Sequence, residues 1–210
     1  AMYRDLKPDI PLVDVYRVED RSVPGPAGEI PVRIYWPTAA PAAIHVHFNG
    51  GGWVIGDLET HDADCREICR GAACIVVAVD YRLAPEHIFP AALEDCYAVT
   101  CWASENSAEL GALSSPVSVG GDSAGGNLAA SVCLLARDRA GPNIAMQLLI
   151  YPVTDATMES ASYRDNADGY LLSRKMMAWF WDHYCPDPAQ RSDPLASPIR
   201  AADLSGLPPA

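Results

Sequence analysis

Val117-Ser118-Val119-Gly120-Gly121-Asp122-Ser123-Ala124-Gly125-Gly126-Asn127-Leu128 is the stretch that decides how this chain is read. Residues 117–120 form a short run with β-branched valines, the pattern of a strand. Residues 127–136 are small or apolar nearly all round, which predicts a buried helix. Between them stands Gly121-x-Ser123-x-Gly125. A sharp turn from strand into helix strains the backbone, and flanking glycines remove the Cβ atoms that would collide there. The turn lifts the serine hydroxyl above the sheet, at a helix N-terminus where free N–H groups and the helix dipole favour developing negative charge. Ser123 is therefore the candidate nucleophile.

Working outward, the surrounding elements alternate. Residues 13–21 and 32–36 read as strands joined through the turn-rich Pro24-Gly25-Pro26-Ala27-Gly28, an antiparallel opening hairpin. Residues 43–48 are a third strand and 74–79 a fourth, the latter a continuous apolar run of the kind buried on both faces of a parallel sheet. Residues 144–151 are the last clear strand. Helices are expected over 61–70, 90–102 and 174–184, the last rich in aromatics, with an irregular Pro-rich tail from 186. Strands alternating with helices predict an α/β fold with a mostly parallel sheet flanked by helices, in one domain.

A second signal follows the third strand: Asn49-Gly50-Gly51-Gly52-Trp53. Consecutive glycines allow backbone N–H groups to approach a ligand in conformations closed to other residues. Facing an elbow, such a loop supplies donors to an oxyanion.

Composition excludes several classes. The net charge is −12 and the pI about 4.6, so phosphate backbones are repelled and nucleic acid is not an expected partner. No stretch reaches the roughly 18–20 apolar residues of a spanning helix, and the opening Ala1-Met2-Tyr3-Arg4-Asp5 has no signal-peptide core. Seven cysteines, several inside apolar segments, read as buried thiols of a reducing compartment, so the cytoplasm is expected. Cys65 and Cys69 lack a second pair at zinc spacing, and His45 and His47, alternating on the third strand, lack a third ligand. No metal or cofactor is expected.

These residues together resemble the hormone-sensitive-lipase-like, or bacterial family IV, carboxylesterases of the α/β-hydrolase superfamily. The resemblance is carried by the glycine run with Gly56-Asp57-Leu58-Glu59-Thr60-His61-Asp62, by Tyr81-Arg82-Leu83-Ala84-Pro85-Glu86-His87, and by the elbow through Leu128. It implies a small-molecule substrate, short-chain acyl esters cleaved without cofactor, with Ser123 as nucleophile and the N–H groups of Gly51, Gly52 and Ala124 as the oxyanion hole. Arg82 and Glu86 would pin the loop after the fourth strand. Asn49 stands where the family usually has His, a bracing position that Asn can serve with altered geometry.

The resemblance also implies that the chain, ending Gly206-Leu207-Pro208-Pro209-Ala210, lacks the family's last two strands with its catalytic acid and His, and keeps only a short N-terminal cap remnant (about 1–12) beside the aromatic helix region (about 172–186). A serine without a base is a weak nucleophile at neutral pH. Asp155 as surrogate acid and His183 as base are the candidates to replace them; His61 and His87 lie in family motifs where they are not catalytic. An unpaired edge at residues 144–151 would favour a homo-oligomer. Two readings stand: a carboxylesterase in truncated form, or a catalytically impaired remnant acting as a binding or scaffold protein.

Overall fold

Pairing, rather than alternation alone, sets where the first strand begins. The computed structural model describes residues 12–37, 41, 43–113 and 116–210, with β1 at Arg17–Gly25 and β2 at Gly28–Trp36. The sequence places the first strand four residues earlier, over 13–21. Residues 13–15 find no ladder because β2 stops at Trp36, where Pro37 has no N–H to extend it. The hairpin closes through Pro26 and Ala27, with Gly25 opposite Gly28. The expected cap segment over 1–12 lies outside the described residues apart from Leu12, which is exposed.

The other strands fall within a residue or two of their expected positions, except that β2 starts four residues earlier, at Gly28. They are β3 (Ile44–Phe48), β4 (Ile75–Val79), β5 (Val117–Asp122) and β6 (Ile144–Ile150). The six form one sheet in the order β1-β2-β4-β3-β5-β6, parallel from β4 to β6 and antiparallel at the opening hairpin. The chain thus steps from β3 to β4 on one side and returns to place β5 on the other. Such a reversal opens a crevice at the carboxyl ends of the two strands it separates, which is where α/β sheets bind ligands. Here those strands are β3 and β5, with Phe48 paired to Gly121.

Helices cover both faces. α2 (Ala91–Glu105) and α4 (Ala124–Asp138) pack on the face that carries Val32, Ile34, Ile44, Val46, Phe48, Val77, Val117 and Val119. α1 (Asp62–Ala72) packs Cys65 and Cys69 on Tyr35, Val76 and Ala78 of the other face. Residues 124–136 of α4 are all buried, as its all-round apolar pattern demands. The aromatic helix, α6 (Arg174–Tyr184), follows two short helices that periodicity could not reveal: α3 (Ser107–Leu110) and α5 (Ala161–Asp165). The tail past Pro186 includes two single 3₁₀ turns, at Gln190–Ser192 and Pro198–Arg200.

The β6 edge is not bare, contrary to the sequence expectation. The Gln147 N–H donates to the Pro209 carbonyl at 2.9 Å and its Nε2 to the Pro208 carbonyl at 2.9 Å, so the tail lies along the strand. Met146 and Tyr151 remain exposed beside it.

Candidate functional site

Ser123 sits between the end of β5 and the start of α4 with φ 53° and ψ −114°, a left-handed backbone that a residue with a side chain rarely adopts. The strain is held from several sides. The Ser123 N–H donates to the Ile150 carbonyl at 2.9 Å, and its own carbonyl accepts from Asn127 at 3.1 Å and Val153 at 3.2 Å. Both flanking glycines are demanded by one atom. A Cβ at Gly121 would fall 2.1 Å from the Phe48 carbonyl oxygen, and one at Gly125 would fall 1.9 Å from it. Ser123 itself is partly exposed, so its hydroxyl is not sealed in the core.

The glycine loop leaves β3 immediately beside this turn. Gly51 has φ 126° and Gly52 φ 59°, and Cβ atoms there would meet the Ile55 carbonyl at 2.0 Å and the Phe180 ring at 2.3 Å. The Gly51 carbonyl accepts from Val54 and Ile55. The N–H groups of Gly51, Gly52 and Ala124 take no backbone partner among the described residues. The structure thus brings the serine turn and the glycine run to the same crevice. Asn49 is buried: its Nδ2 donates to the Gly50 carbonyl at 2.9 Å, and its own carbonyl accepts from the Tyr81 hydroxyl at 2.7 Å.

Asp122, the residue before the serine, ties the two halves together. Its Oδ1 accepts from the Gly50 N–H at 2.8 Å and lies 3.4 Å from His61 Nε2. Burial works to raise the Asp122 pKa, but the hydrogen bond and charge of His61, with the Gly50 N–H, outweigh it and hold the carboxyl below its ordinary range. Asp122 lies inside the serine motif, and the motif pattern alone assigns it no role. The usable signal is its place on the strand: it ends β5 beside the end of β3, within reach of the glycine loop.

The candidate substitutes for a base or acid lie elsewhere. The His183 Nδ1 pairs with the Trp179 carbonyl at 2.9 Å, and its ring packs on Trp179. Asp155 bonds Thr157 and Arg200, a local turn and a surface ion pair. His87 is exposed. His45 and His47 are buried side by side in the sheet, 5.8 Å between ring centres, and burial pushes their pKa values down to about 3 and about 4. His45 meets the Ser118 hydroxyl at 3.0 Å, while neither His47 ring nitrogen has a hydrogen-bond partner among the described residues. None of these contacts is with Ser123. Among the described residues no group of three or more His, Cys, Asp or Glu side chains is arranged to hold a metal ion.

Of the two residues expected to pin the loop after β4, only Arg82 does so. Its guanidinium makes two bonds of 2.8 Å to the Asp95 carboxylate, whose side chain is 1% exposed. Glu86 is exposed and makes no hydrogen bond or ion pair among the described residues, because the chain turns it outward.

Comparison with known proteins identifies the fold and the family. A family model described as the α/β hydrolase fold matches residues 45–210. The chain is similar to the carboxylic ester hydrolase LipN of Mycobacterium tuberculosis, 51% identical over 200 residues that cover 92% of the chain and 53% of LipN. It is also similar to the carboxylesterase NlhH of the same organism, at 45% identity over 100% of the chain and 68% of NlhH. The crystal structure of an α/β hydrolase enzyme from the metagenome of Lake Arreo, Spain, superposes with a TM-score of 0.92 at 42% identity, covering 100% of the chain and 66% of that protein. The chain therefore spans about half to two thirds of the length of the relatives it matches.

Proposed function

The chain belongs to the α/β-hydrolase family, and from that premise we propose that it carries the nucleophile and oxyanion hole of a carboxylic ester hydrolase for short-chain acyl esters. The observation that carries the reading is Ser123: a partly exposed hydroxyl on a strained turn at a helix N-terminus, beside a glycine loop with free N–H groups.

In this reading Ser123 Oγ attacks the ester carbonyl carbon. The carbonyl oxygen takes up negative charge and is held by the N–H groups of Gly51, Gly52 and Ala124. Each such donor contributes about 10²–10³ in rate. The hydroxyl proton must go to a base, and the described histidine contacts supply none at Ser123. We assign the base and its acid partner to the part of the relatives' length that this chain does not span. The aromatic helix α6, whose Phe180 lies on Gly52, would roof the acyl side of the crevice. Seven free thiols support a cytoplasmic setting, and no helix among the described residues is long and apolar enough to cross a membrane. Exposed Met146 and Tyr151, beside the tail that lies along β6, support association of two copies over this apolar patch.

That the histidine contacts found among the described residues are not with Ser123 favours a second reading, a binding or scaffold protein that keeps the crevice without the chemistry. Hydrolysis of p-nitrophenyl acetate by the chain and by Ser123→Ala separates the two. Activity that disappears in the mutant supports the esterase; equal, near-background rates support the scaffold.

A further inference from the structure

The loop that carries Gly51 and Gly52 begins at Gly50 and ends at His61, the residue before α1. Both ends reach the same atom. Asp122 Oδ1 accepts from the Gly50 N–H at 2.8 Å, and His61 Nε2 stands 3.4 Å from it. Gly50 comes so near that a Cβ would fall 2.1 Å from Asp122 Oδ2 and 3.0 Å from the Asp122 carbonyl oxygen. At the far end the hydrogen bonds continue inward: His61 Nδ1 is 3.1 Å from the Thr60 hydroxyl, the Thr60 N–H donates to Asp57 Oδ1 at 2.8 Å, and the Asp57 N–H donates to Thr60 Oγ1 at 2.8 Å. His61 is 4% exposed, so this network is screened little by solvent.

We infer that Asp122 is a positioning residue: its carboxylate pins both ends of the 50–61 loop and thereby aims the N–H groups of Gly51 and Gly52 at the space above Ser123. The inference rests on the esterase reading for its catalytic consequence, and on geometry alone for the clamp. It explains why an acidic residue precedes the serine: a loop of glycines has no side chains with which to hold its own shape. A neutral side chain without an acceptor there would leave the Gly50 N–H unpaired and the loop tethered only by its flanking strand and helix.

Two measurements on the full chain test this together: amide hydrogen exchange of peptides covering residues 49–58, and kcat and KM for p-nitrophenyl acetate. In Asp122→Ala the loop should exchange faster by about tenfold to a hundredfold, the range one charge-assisted hydrogen bond supports, with the β3 and β5 peptides unchanged. kcat should fall by about tenfold to a hundredfold while KM stays within about twofold, as loss of a transition-state contact requires. Asp122→Asn keeps an oxygen for Gly50 and should retain most of the loop protection and more of kcat than the alanine variant. If Asp122→Ala does not fold, Gly50→Ala carries the same test, since its methyl group must displace the carboxylate. Unchanged loop exchange, exchange that rises evenly across the sheet, or a loosened loop with unaltered kcat would each overturn the inference. If the parent chain is no faster than Ser123→Ala, the esterase reading fails, and the exchange data alone decide the clamp.

Discussion

Gly52 lies directly beneath Phe180, so that a Cβ on the glycine would fall 2.3 Å from the ring. One contact thus couples the aromatic helix to the loop expected to bind an oxyanion. Behind Phe180, Tyr184 stacks on Trp53 with ring centres 4.2 Å apart and Trp181 packs on it at 4.7 Å, tilted by 51°, so the loop is backed by a block of buried aromatics.

Gly52→Ala should therefore destabilise the chain by about 2–3 kcal/mol, through overpacking against the ring and a left-handed φ. Combining it with Phe180→Leu should recover part of that loss, a coupling of the kind contacting residues show. Urea unfolding of the two single variants and the double variant measures it; strictly additive effects would contradict the contact.

Removing the Arg82 guanidinium leaves the buried Asp95 carboxylate without its counter-charge, with only the Arg82 backbone N–H still donating to it at 3.1 Å. Arg82→Met is expected to cost about 3–5 kcal/mol, and Arg82→Met with Asp95→Leu considerably less, because the penalty comes from the uncompensated charge. Thermal or urea unfolding of both variants gives the comparison.

Acid should weaken the fold before its carboxylates titrate. His45 and His47 have folded pKa values of about 3 and about 4 against an ordinary 6.5, so the unfolded chain binds more protons below pH 6.5. Their contribution is complete above 6.5 and is lost as pH falls, down to about 4 for His47 and about 3 for His45, with a slope of about 1.4 kcal/mol per pH unit for each histidine. The Asp122 contribution is lost only lower, below its ordinary 3.8. Replacing His47 with Leu should flatten unfolding free energy between pH 6 and pH 4.5 by about one histidine's share.

Association along β6 should depend on its exposed apolar residue. Met146→Lys should shift the chain toward monomer in light scattering at about micromolar concentration, since a charge there opposes burial of the exposed patch beside the tail. A parent chain that is already monomeric would remove the proposal.

Most of the scaffold was legible in the residues because burial leaves a periodic trace. The β4 run, the all-round apolar α4 and the α6 boundaries at Arg174 and Tyr184 needed no tertiary information. The start of β1 did, since alternation over 13–15 has meaning only if a partner strand reaches that far. The site divided the same way. Gly121-x-Ser123-x-Gly125 announces strained backbone locally, whereas the pairing of Asp122 with Gly50 and His61 joins residues far apart in sequence and leaves no periodic mark. Glu86 shows the opposite failure: a motif position whose side chain finds no partner among the described residues.

The reversal between β3 and β5 also bears on how the protein is made. The Gly50 N–H and the Asp122 carboxylate that it meets are separated by 72 residues of chain. Contacts that distant form late and slowly, because the intervening segment must give up its freedom before they reward it. A nascent or partly melted chain can keep its opening hairpin and its helices while the crevice does not yet exist. Reactivity at Ser123 would therefore report completed closure of the central sheet more sharply than helix content does.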